Sequence, residues 1–361
     1  MSLKELREEL SAIDEKIIDL IAERQRVVNA IGRDKIDTGK GTRDFERERQ
    51  VLGHAREHAS GLNVDPDLAE HVMSALIRSS LTRQERARVA ATGQGGGKRV
   101  LVIGGGGKMG KWFVDFFNSQ GFATTIADNN VEPGENRYTQ WRAAGIDYDI
   151  IVVATPLAVS ARILEELAVL RPTALIFDIG SLKTPLRSGL AALKTAGCKV
   201  TSIHPMFGPD TALLSGRHII FVDVGDSAAT DEARELFSAT MADMLDMDVD
   251  DHDRLIAYVL GLSHAFNIAF FTALAESGEA APKLAKMSST TFDAQLLVSA
   301  AVAQDNPHLY FEIQRLNEYG LDALDAMCAA VDRVRETVAS NNEADFVQMM
   351  ERGQEYLASR R

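Results

Sequence analysis

The fold of this 361-residue chain is decided by residues 99–110, which read Arg99-Val-Leu-Val-Ile103 and then Gly104-Gly-Gly-Gly-Lys-Met-Gly110. The first five residues predict a short buried strand, and the glycines predict a tight turn into a helix. From Gly105 to Gly110 the turn fits G-x-G-x-x-G, in which glycines let the backbone approach a pyrophosphate at a helix N-terminus. The stretch therefore predicts a dinucleotide-binding turn.

The residues that follow alternate between apolar strand candidates and helical segments. The strand candidates are residues 123–127, 149–153, 174–178, 199–203 and 218–222. Strands that alternate with helices indicate a parallel sheet with crossover helices, so we expect an α/β Rossmann domain over residues 99–225.

Asp128 ends the second strand candidate, near the spacing expected of a carboxylate that binds the adenosine ribose. An acid there favours NAD over NADP because it would repel a 2′-phosphate, although Asn129, Asn130 and Arg137 lie nearby. The alternative is an ordinary strand-to-helix turn beside an unrelated aspartate. We expect NAD and no metal, with cofactor contacts from Gly105, Gly107, Lys108, Met109, Gly110, Asp128, Thr155 and Pro156.

Two polar motifs follow later strand candidates and should reach the sheet edge where ligands of open parallel sheets bind. They are Asp178-Ile-Gly-Ser-Leu-Lys183 and His204-Pro-Met-Phe-Gly-Pro-Asp210. His204 is a candidate general base because imidazole titrates near neutral pH, and the prolines and glycine after it predict a fixed loop. The alternative for His204 is a hydrogen-bonded structural histidine.

The first 90 residues have long helical periodicity and one proline, Pro66. Apolar residues spaced by three and four from Leu3 to Leu20 predict a helix that reaches about residue 36 and is roughly 50 Å long. A small domain cannot cover such a helix, so we expect a second copy of the chain to pack against it. Further helices are predicted at residues 43–59 and 66–89, the latter capped by Asn63 or Asp65.

Residues 91–98 are rich in glycine and predict a flexible linker between a helical domain, 1–90, and the α/β domain. Over residues 226–361 the chain is predicted to be helical again. The stretch 252–275 is apolar on most faces, so we expect it to be deeply buried, with a dimer interface as one such place.

Two cations lie where the seam of the first helix should be apolar. Arg24 takes a seam position, and Lys35 lies eleven residues later on nearly the same face. Because an unpaired buried charge is costly, these cations need anionic partners, either in a salt-bridged helical bundle or in a bound dianion. The cation count favours the dianion. Polar residues at helical spacing on the next two helices could complete the site: Asp44, Arg47, Glu48, Ser80 and Gln84.

The bulk composition limits the class of protein. The formal net charge of −13 argues against nucleic-acid binding. The two cysteines argue against a disulfide framework, and the charged N-terminus lacks a signal-peptide core. No apolar run reaches the length of about 18 residues that a membrane-spanning helix needs. We expect a cytoplasmic protein with neither nucleic-acid nor membrane partners.

The glycine turn and the two polar motifs together resemble prephenate dehydrogenase over residues 99–330. The resemblance implies that His204 accepts the proton of the substrate hydroxyl, that Ser181 hydrogen-bonds the same hydroxyl and that Lys183 lies near the substrate. His264 matches a substrate-binding histidine of that family, with a buried interface histidine as the alternative. Hydride loss to NAD and loss of the ring carboxylate would make the product aromatic.

One position departs from that family. An arginine usually stands about six residues before an Asp-Pro and pairs with a substrate carboxylate, whereas this chain has Ser299-Ala-Ala-Val-Ala-Gln-Asp-Asn-Pro307. A bidentate arginine contact is hard to replace. Arg315 could substitute, or the substrate could be a relative of prephenate such as its 4-amino-4-deoxy analogue, which keeps both carboxylates.

The N-terminal segment resembles the all-helical class of chorismate mutase over residues 3–89. The matching positions are Arg7, Arg24, Lys35, Asp44, Arg47, Glu48, Ser80 and Gln84. The resemblance implies that the three arginines hold the two carboxylates of chorismate, that Lys35 and Gln84 face the ether oxygen, and that Glu48 takes the hydroxyl. Arg7 lies about 100° from the face of Arg24 and would serve the site of a partner subunit.

The two resemblances imply a fused enzyme of tyrosine biosynthesis, since the first reaction makes prephenate and the second consumes it. Its expected architecture is an all-α mutase domain, an α/β Rossmann domain and an all-α dimerisation domain, assembled as a homodimer. One alternative is the same pair of reactions on 4-amino substrates. Another is a chorismate- or NAD-binding regulator without turnover.

Overall fold

The computed structural model describes residues 1–359, which form two compact units. The first contains Met1–Thr155, Ile163–Ile179 and Ala192–Asp246. The second contains Pro156–Arg162, Gly180–Ala191 and the described residues from Met247 onward. The N-terminal helices and the sheet therefore belong to the same unit.

Three helices form the N-terminal segment: α1 (Leu3–Asp37), α2 (Phe45–Gly61) and α3 (Pro66–Ala91). Ser2 caps α1 and exchanges hydrogen bonds with Glu5, which satisfies backbone amides at the helix start. Asp65 caps α3, one of the two predicted caps. All three predicted helices are confirmed, with limits that differ by no more than two residues.

The apolar seam of α1 is exposed along most of its length. On this 35-residue helix only Val28 and Gly32 are buried, whereas Leu3 and Leu20 are each 64% exposed. Leu6, Leu10, Ile13 and Ile17 are also exposed. The N-terminal two-thirds of α1 therefore presents an apolar stripe that its own chain leaves uncovered.

Eight strands form a single sheet: β1 (Arg99–Ile103), β2 (Ala123–Ala127), β3 (Arg137–Tyr138), β4 (Ile150–Val153), β5 (Leu175–Asp178), β6 (Lys199–Pro205), β7 (His218–Val222) and β8 (Asp243–Met247). Their order across the sheet is β3-β2-β1-β4-β5-β6-β7-β8, with β1 to β6 parallel and β7 antiparallel to β6. The strand order reverses at β1, which pairs with β2 on one side and β4 on the other. In parallel sheets, ligands bind beyond the carboxyl ends of the strands at such a point.

The sheet extends beyond residue 225, so the predicted end of the α/β domain there is wrong. β8 lies at an edge and is mostly exposed, and the backbone N–H of Asp243 donates to the carbonyl of Arg217 at 2.8 Å. Two of its five residues are aspartates, Asp243 and Asp246. Backbone pairing rather than an apolar run forms this strand, so the hydropathy pattern did not reveal it.

Five helices accompany the sheet: α4 (Lys108–Ser119), α5 (Trp141–Ala144), α6 (Leu157–Leu170), α7 (Arg187–Thr195) and α8 (Ser227–Glu235). α4 buries an aromatic face that packs in one cluster with the strands and with Phe237. Phe113 and Phe117 of α4 are completely buried, as is Phe177 of β5. This cluster holds the glycine turn at the start of α4 against the sheet.

The glycine segment between α3 and β1 is packed, which contradicts the predicted flexible linker. The backbone N–H of Gly95 donates to the carbonyl of Gln120 at 3.0 Å. A Cβ atom at Gly95 would lie 2.1 Å from the backbone of Gly121, and one at Gly93 would lie 2.4 Å from that of Gln120. These glycines serve close backbone approach rather than flexibility.

Seven helices complete the chain: α9 (Val249–Ile256), α10 (Ser263–Glu276), α11 (Ala281–Lys286), α12 (Thr290–Ala303), α13 (Pro307–Leu316), α14 (Gly320–Ala339) and α15 (Glu343–Ala358). A π-helical turn, Ala257–Leu262, joins α9 and α10 into one continuous helix. The helical character predicted for the C-terminal part is confirmed from Val249 onward.

The joined helix Val249–Glu276 corrects two expectations. It is 28 residues long and apolar enough to cross a membrane by length and composition alone, although no such segment was expected. It is not deeply buried within its own chain, since Tyr258 is 50% and Val259 is 53% exposed. Apolar side chains of this helix are therefore left uncovered by the rest of the described chain.

Candidate active sites

Arg24 and Ser80 meet in the N-terminal helices. Arg24 Nη1 donates to Ser80 Oγ at 2.7 Å and to the carbonyl of Leu76 at 3.3 Å. Ser80 is buried and also donates to Leu76, at 2.7 Å. The guanidinium of α1 is thus fixed by two neutral oxygen atoms of α3.

Lys35 lies one turn before the loop that connects α1 and α2. Lys35 Nζ donates to the carbonyl of Thr42 at 2.6 Å. Arg88 of α3 holds the same loop, with Nη1 2.8 Å from the carbonyl of Lys40 and 3.3 Å from Thr42 Oγ1. The sequence analysis missed Arg88, although it lies one turn beyond Gln84 on the same helix.

Gln84 packs against α1 through a glycine that the sequence analysis also missed. Gln84 Nε2 donates to the carbonyl of Val28 at 3.3 Å, and the side chain is buried. A Cβ atom at Gly32 would lie 3.0 Å from Cγ of Gln84. A glycine inside a helix otherwise free of them was the available signal, since it marks close approach of another element.

The carboxylate of Glu48 forms a bidentate ion pair with Arg43, which was not predicted. Arg43 Nε and Nη2 each lie 2.9 Å from one oxygen of Glu48. Asp44 caps α2 by accepting from the backbone N–H of Arg47 at 2.9 Å. Asp44 therefore has a structural role as well as its predicted place in the site. The side chain of Arg47 is exposed and contacts only Gln50 among the described residues, at 3.4 Å.

Arg7 lies on the exposed part of α1, and the structure does not bring it to the other predicted residues. It precedes Arg24 by seventeen residues, which is about 25 Å along a helix. Arg7 therefore cannot reach the Arg24 site of its own chain.

Four cations of the helical segment were predicted to contact the substrate, at its carboxylates or its ether oxygen. Among the described residues, no salt bridge involves Arg7, Arg24, Lys35 or Arg47. The salt-bridged bundle considered as an alternative would have paired these cations. The arrangement instead leaves several cations available for an anion.

The glycine turn after β1 has the geometry of a dinucleotide cradle. Gly104 has φ of 89°, which strains a residue with a side chain. A Cβ atom at Gly110 would lie 2.1 Å from the carbonyl oxygen of Gly104, and Gly107 is the N-cap of α4. Met109 packs against the core cluster, and Lys108 begins α4. The turn aims a helix N-terminus at the sheet edge, which fits a pyrophosphate.

Asp128 follows β2 and faces the turn. Its Oδ2 accepts from the backbone N–H of Gly106 at 3.1 Å, and Oδ1 accepts from Asn130 at 2.8 Å. A Cβ atom at Gly106 would lie 2.8 Å from Cγ of Asp128, so glycine allows the carboxylate to come close. This proximity of turn and acid supports the predicted ribose contact.

His204 lies within β6, in the same unit as the glycine turn, rather than in a loop after the strand. It is 5% exposed and stands opposite Ile220 of β7. Asp178, at the end of β5, is fully buried and accepts from Ser202 Oγ at 2.5 Å. Thr155 and Pro156, which were predicted to contact the cofactor, lie between β4 and α6.

Ser181 and Lys183 belong to the second unit, in a segment anchored by Asp253. The buried Asp253 carboxylate accepts from the backbone N–H groups of Lys183, at 2.9 and 3.0 Å, and of Thr184, at 2.6 Å. Thr184 Oγ1 and His252 Nδ1 also contact it, at 2.5 and 2.6 Å. Burial alone would raise the pKa of Asp253, but these hydrogen bonds outweigh burial and lower it.

Three side-chain polar atoms of the second unit are buried without a hydrogen-bond partner among the described residues. They are Gln314 Oε1, Ser181 Oγ and His264 Nδ1. The His264 ring stacks on Tyr310 with 4.1 Å between ring centroids. Burial lowers the pKa of His264, and the charge of Asp305 opposes this shift. Ser181 and His264 were both predicted to contact the substrate. A buried polar atom without a hydrogen-bond partner is costly unless a ligand or a water molecule supplies one.

The position of the usual carboxylate-binding arginine is taken by small residues of α12. Ser299 is buried and donates to Oδ1 of Asn267 at 2.9 Å, and Gln295 donates to the same oxygen at 2.9 Å. Arg315 lies on α13 and is exposed, with no ion pair among the described residues. Its predicted substitution for the missing arginine stays a prediction.

Three family models match consecutive parts of the chain. Chorismate mutase type II matches residues 6–85, the nucleotide-binding domain of prephenate dehydrogenase matches residues 130–244, and its dimerization domain matches residues 248–352. The match to the nucleotide-binding domain begins after the glycine turn. The evidence that this turn binds a dinucleotide is therefore its geometry.

The matches to two similar proteins cover most of the chain. It is 27% identical to the T-protein of Enterobacter agglomerans, over 88% of this chain and 83% of that protein. It is 28% identical to the 4-amino-4-deoxyprephenate dehydrogenase of Streptomyces pristinaespiralis, over 69% of this chain and 87% of that protein.

The fold is similar to a solved structure of prephenate dehydrogenase from Aquifex aeolicus with hydroxyphenyl propionate and NAD+, at a TM-score of 0.56. The two share 18% identity, over 73% of this chain and 98% of that one. Because the mutase model and both dehydrogenase models occur in order, this chain belongs to the family of bifunctional enzymes that join a chorismate mutase, an isomerase, to a prephenate dehydrogenase, an oxidoreductase.

Proposed function

We propose that this enzyme rearranges chorismate to prephenate and then oxidises prephenate with NAD to 4-hydroxyphenylpyruvate, two consecutive steps of tyrosine biosynthesis. The observation that carries the first step is the set of cations in the helical segment that no carboxylate pairs. Chorismate carries two carboxylates, which such a site would bind.

The mutase reaction needs positioning and electrostatics rather than proton transfer. Arg24 and Arg47, with Arg7 of a second copy, hold the two carboxylates so that the substrate adopts the compact reactive conformer. Lys35 and Gln84 donate to the ether oxygen as negative charge develops there. Their present partners, the carbonyls of Thr42 and Val28, keep both side chains directed toward α1 and its following loop.

In the dehydrogenase reaction, Ser181 Oγ and His264 Nδ1 gain their missing partners from the substrate. His204 accepts the hydroxyl proton, and Ser181 hydrogen-bonds the same hydroxyl. The glycine turn and Asp128 would hold NAD, which would supply the hydride acceptor. Burial lowers the pKa of His264, which favours the neutral ring, so we expect it to bind the substrate by hydrogen bonding.

The ring substituent has a second candidate. The usual carboxylate-binding arginine is absent, and a relative at 28% identity acts on 4-amino-4-deoxyprephenate. Because both substrates keep their carboxylates, the missing arginine does not distinguish them. Steady-state rates with prephenate and with its 4-amino analogue decide between them, and a strong preference for the amino compound would overturn our primary proposal.

The enzyme acts as a cytoplasmic homodimer in our proposal. The uncovered stripe of α1 and the exposed helix Val249–Glu276 would each be covered by the second copy, and the latter lies in the match to a dimerization domain. Both cysteines are free, which fits a reducing compartment.

Chorismate and NAD supplied to the purified chain test the proposed function. We expect disappearance of chorismate, formation of NADH and 4-hydroxyphenylpyruvate as the identified product. Prephenate accumulation without NADH would contradict the second step, and unchanged chorismate would contradict the first. Binding of both compounds without turnover would support the regulator instead.

A further inference from the structure

One loop of the α/β part contacts the mutase helices through polar groups. It connects β6 to β7 and continues from the motif that begins at His204. Arg43 Nη1 donates to Ser215 Oγ at 2.6 Å, and Glu85 Oε2 accepts from the backbone N–H of Leu214 at 2.8 Å. These contacts lie within the first compact unit.

Glu85 fixes the loop to α3. Its side chain belongs to a residue only 4% exposed, and its second oxygen accepts from the backbone N–H of Met241 at 2.6 Å. Burial raises the pKa of Glu85, and the two backbone hydrogen bonds oppose this shift. Adjacent side chains of α3 therefore make different contacts, since Gln84 meets α1 while Glu85 holds the loop of Leu214.

Three residues contact the guanidinium of Arg43: Glu48 and Phe45 of α2, and Ser215 of the loop between β6 and β7. Two of its nitrogen atoms form the bidentate pair with Glu48, and its guanidinium carbon lies 4.2 Å from the ring centroid of Phe45. The remaining terminal nitrogen donates to Ser215. Because the guanidinium is planar, the Ser215 contact sets the plane in which the pair with Glu48 forms.

We infer that Ser215, although it lies in the dehydrogenase part of the chain, is a positioning residue for the mutase reaction and acts through Arg43 on Glu48. The inference rests on the proposed function, in which Glu48 takes the substrate hydroxyl. A carboxylate offers about four acceptor sites. Arg43 uses one on each oxygen of Glu48, so the remaining sites can accept the substrate hydroxyl from a defined direction. Without Ser215 Oγ, the Arg43 guanidinium is free to rotate, and the Glu48 carboxylate bound to it rotates as well.

Full-length variants test this inference through both reactions. Ser215→Ala should lower kcat/KM for chorismate by about threefold to tenfold, the effect of losing one hydrogen bond to a charged group, mainly through KM. Ser215→Thr keeps a hydroxyl and should restore most of the loss. Ser60→Ala is the matched control, because the exposed Ser60 on α2 donates only to the carbonyl of Arg56.

Arg43→Lys keeps the charge but removes the fork. It should lower kcat/KM for chorismate more than Ser215→Ala does. In the double variant, Ser215→Ala should cause little further loss, because the residue it acts through has already changed. The dehydrogenase kcat/KM measured with added prephenate should stay within about twofold in Ser215→Ala, and thermal unfolding should be unchanged.

The inference is overturned by an unchanged mutase in Ser215→Ala, by additive losses in the double variant, or by equal losses in both reactions, which would indicate a general loop disturbance. A wild-type chain that does not rearrange chorismate overturns the proposed function itself. The two failures are therefore distinguishable.

Discussion

At the residue scale, Arg24 is the cation whose removal should separate the two activities. Its hydrogen-bond partners among the described residues are neutral, Ser80 Oγ and the Leu76 carbonyl, so no carboxylate of these residues pairs with its charge. We expect Arg24→Ala to lower the mutase kcat/KM by roughly 100- to 1000-fold, as for other electrostatic contacts in active sites. The dehydrogenase rate with added prephenate should be unchanged. Arg26→Ala, on the exposed face of α1, is the matched control.

His204 is the corresponding residue for the second reaction. Its place in β6 and its 5% exposure fix the ring, and asparagine can keep a hydrogen bond there but cannot take a proton. His204→Asn should reduce NADH formation from prephenate by about 100-fold or more while chorismate is still consumed at the wild-type rate. His218→Asn, on the exposed start of β7, should leave both rates intact. Undiminished NADH formation in His204→Asn would refute the base assignment.

At the element scale, Asp253 joins α9 to the segment that carries Ser181. It accepts backbone hydrogen bonds from Lys183 and Thr184, and its own carbonyl accepts from Asn317 Nδ2 at 2.8 Å. In Asp253→Asn, the side-chain NH2 group would face the backbone N–H groups of Lys183 and Thr184, so donors would meet donors at a fully buried position. We expect a loss of about 2 to 4 kcal/mol in the free energy of unfolding and a higher KM for prephenate, with Asp251→Asn on the exposed side of α9 as control.

The pH dependence of stability follows from the lowered pKa of Asp253. A depressed folded-state pKa contributes stability above the unfolded value of about 3.9, and this contribution is lost as pH falls through the folded pKa. Urea unfolding of the wild type and Asp253→Asn over acidic pH should therefore converge as pH falls. Parallel curves would show that the carboxylate charge does not carry the effect.

At the scale of the whole molecule, the proposed function makes the mutase site depend on a second copy of the chain, which would supply Arg7. Arg7→Ala and Arg24→Ala should each inactivate a homodimer, yet a mixed dimer has one site with both arginines. After subunit exchange, the mixture should regain roughly a quarter of the wild-type mutase rate, because random pairing makes half of the dimers mixed and each has one intact site.

Subunit mass in solution controls that experiment, since exchange requires a dimer. Light scattering should give twice the chain mass for the wild type and both variants. A mixture that stays inactive after demonstrated exchange would place Arg7 outside the site. Activity in Arg7→Ala alone would do the same.

The sequence alone determined the features that depend on neighbours along the chain. The cap at Asp65, the buried strands and the glycine turn all follow from local spacing and backbone chemistry. Arg24 could be named because its charge conflicts with the apolar seam of its helix. Gln84 and His204 could be named from helical spacing, from the apolar strand before His204 and from the family resemblances.

Only the tertiary structure decided what depends on residues distant in sequence. It packed the glycines before β1 against Gln120, added β8 to the sheet by backbone pairing and left apolar side chains of Val249–Glu276 such as Tyr258 and Val259 exposed. It also joined Arg43 to Ser215, 172 residues apart, and aimed the Asp253 carboxylate at Lys183, 70 residues apart. Hydrogen bonds between such residues leave no periodic signal in the sequence, because they form only once separate elements have packed and desolvated their polar groups.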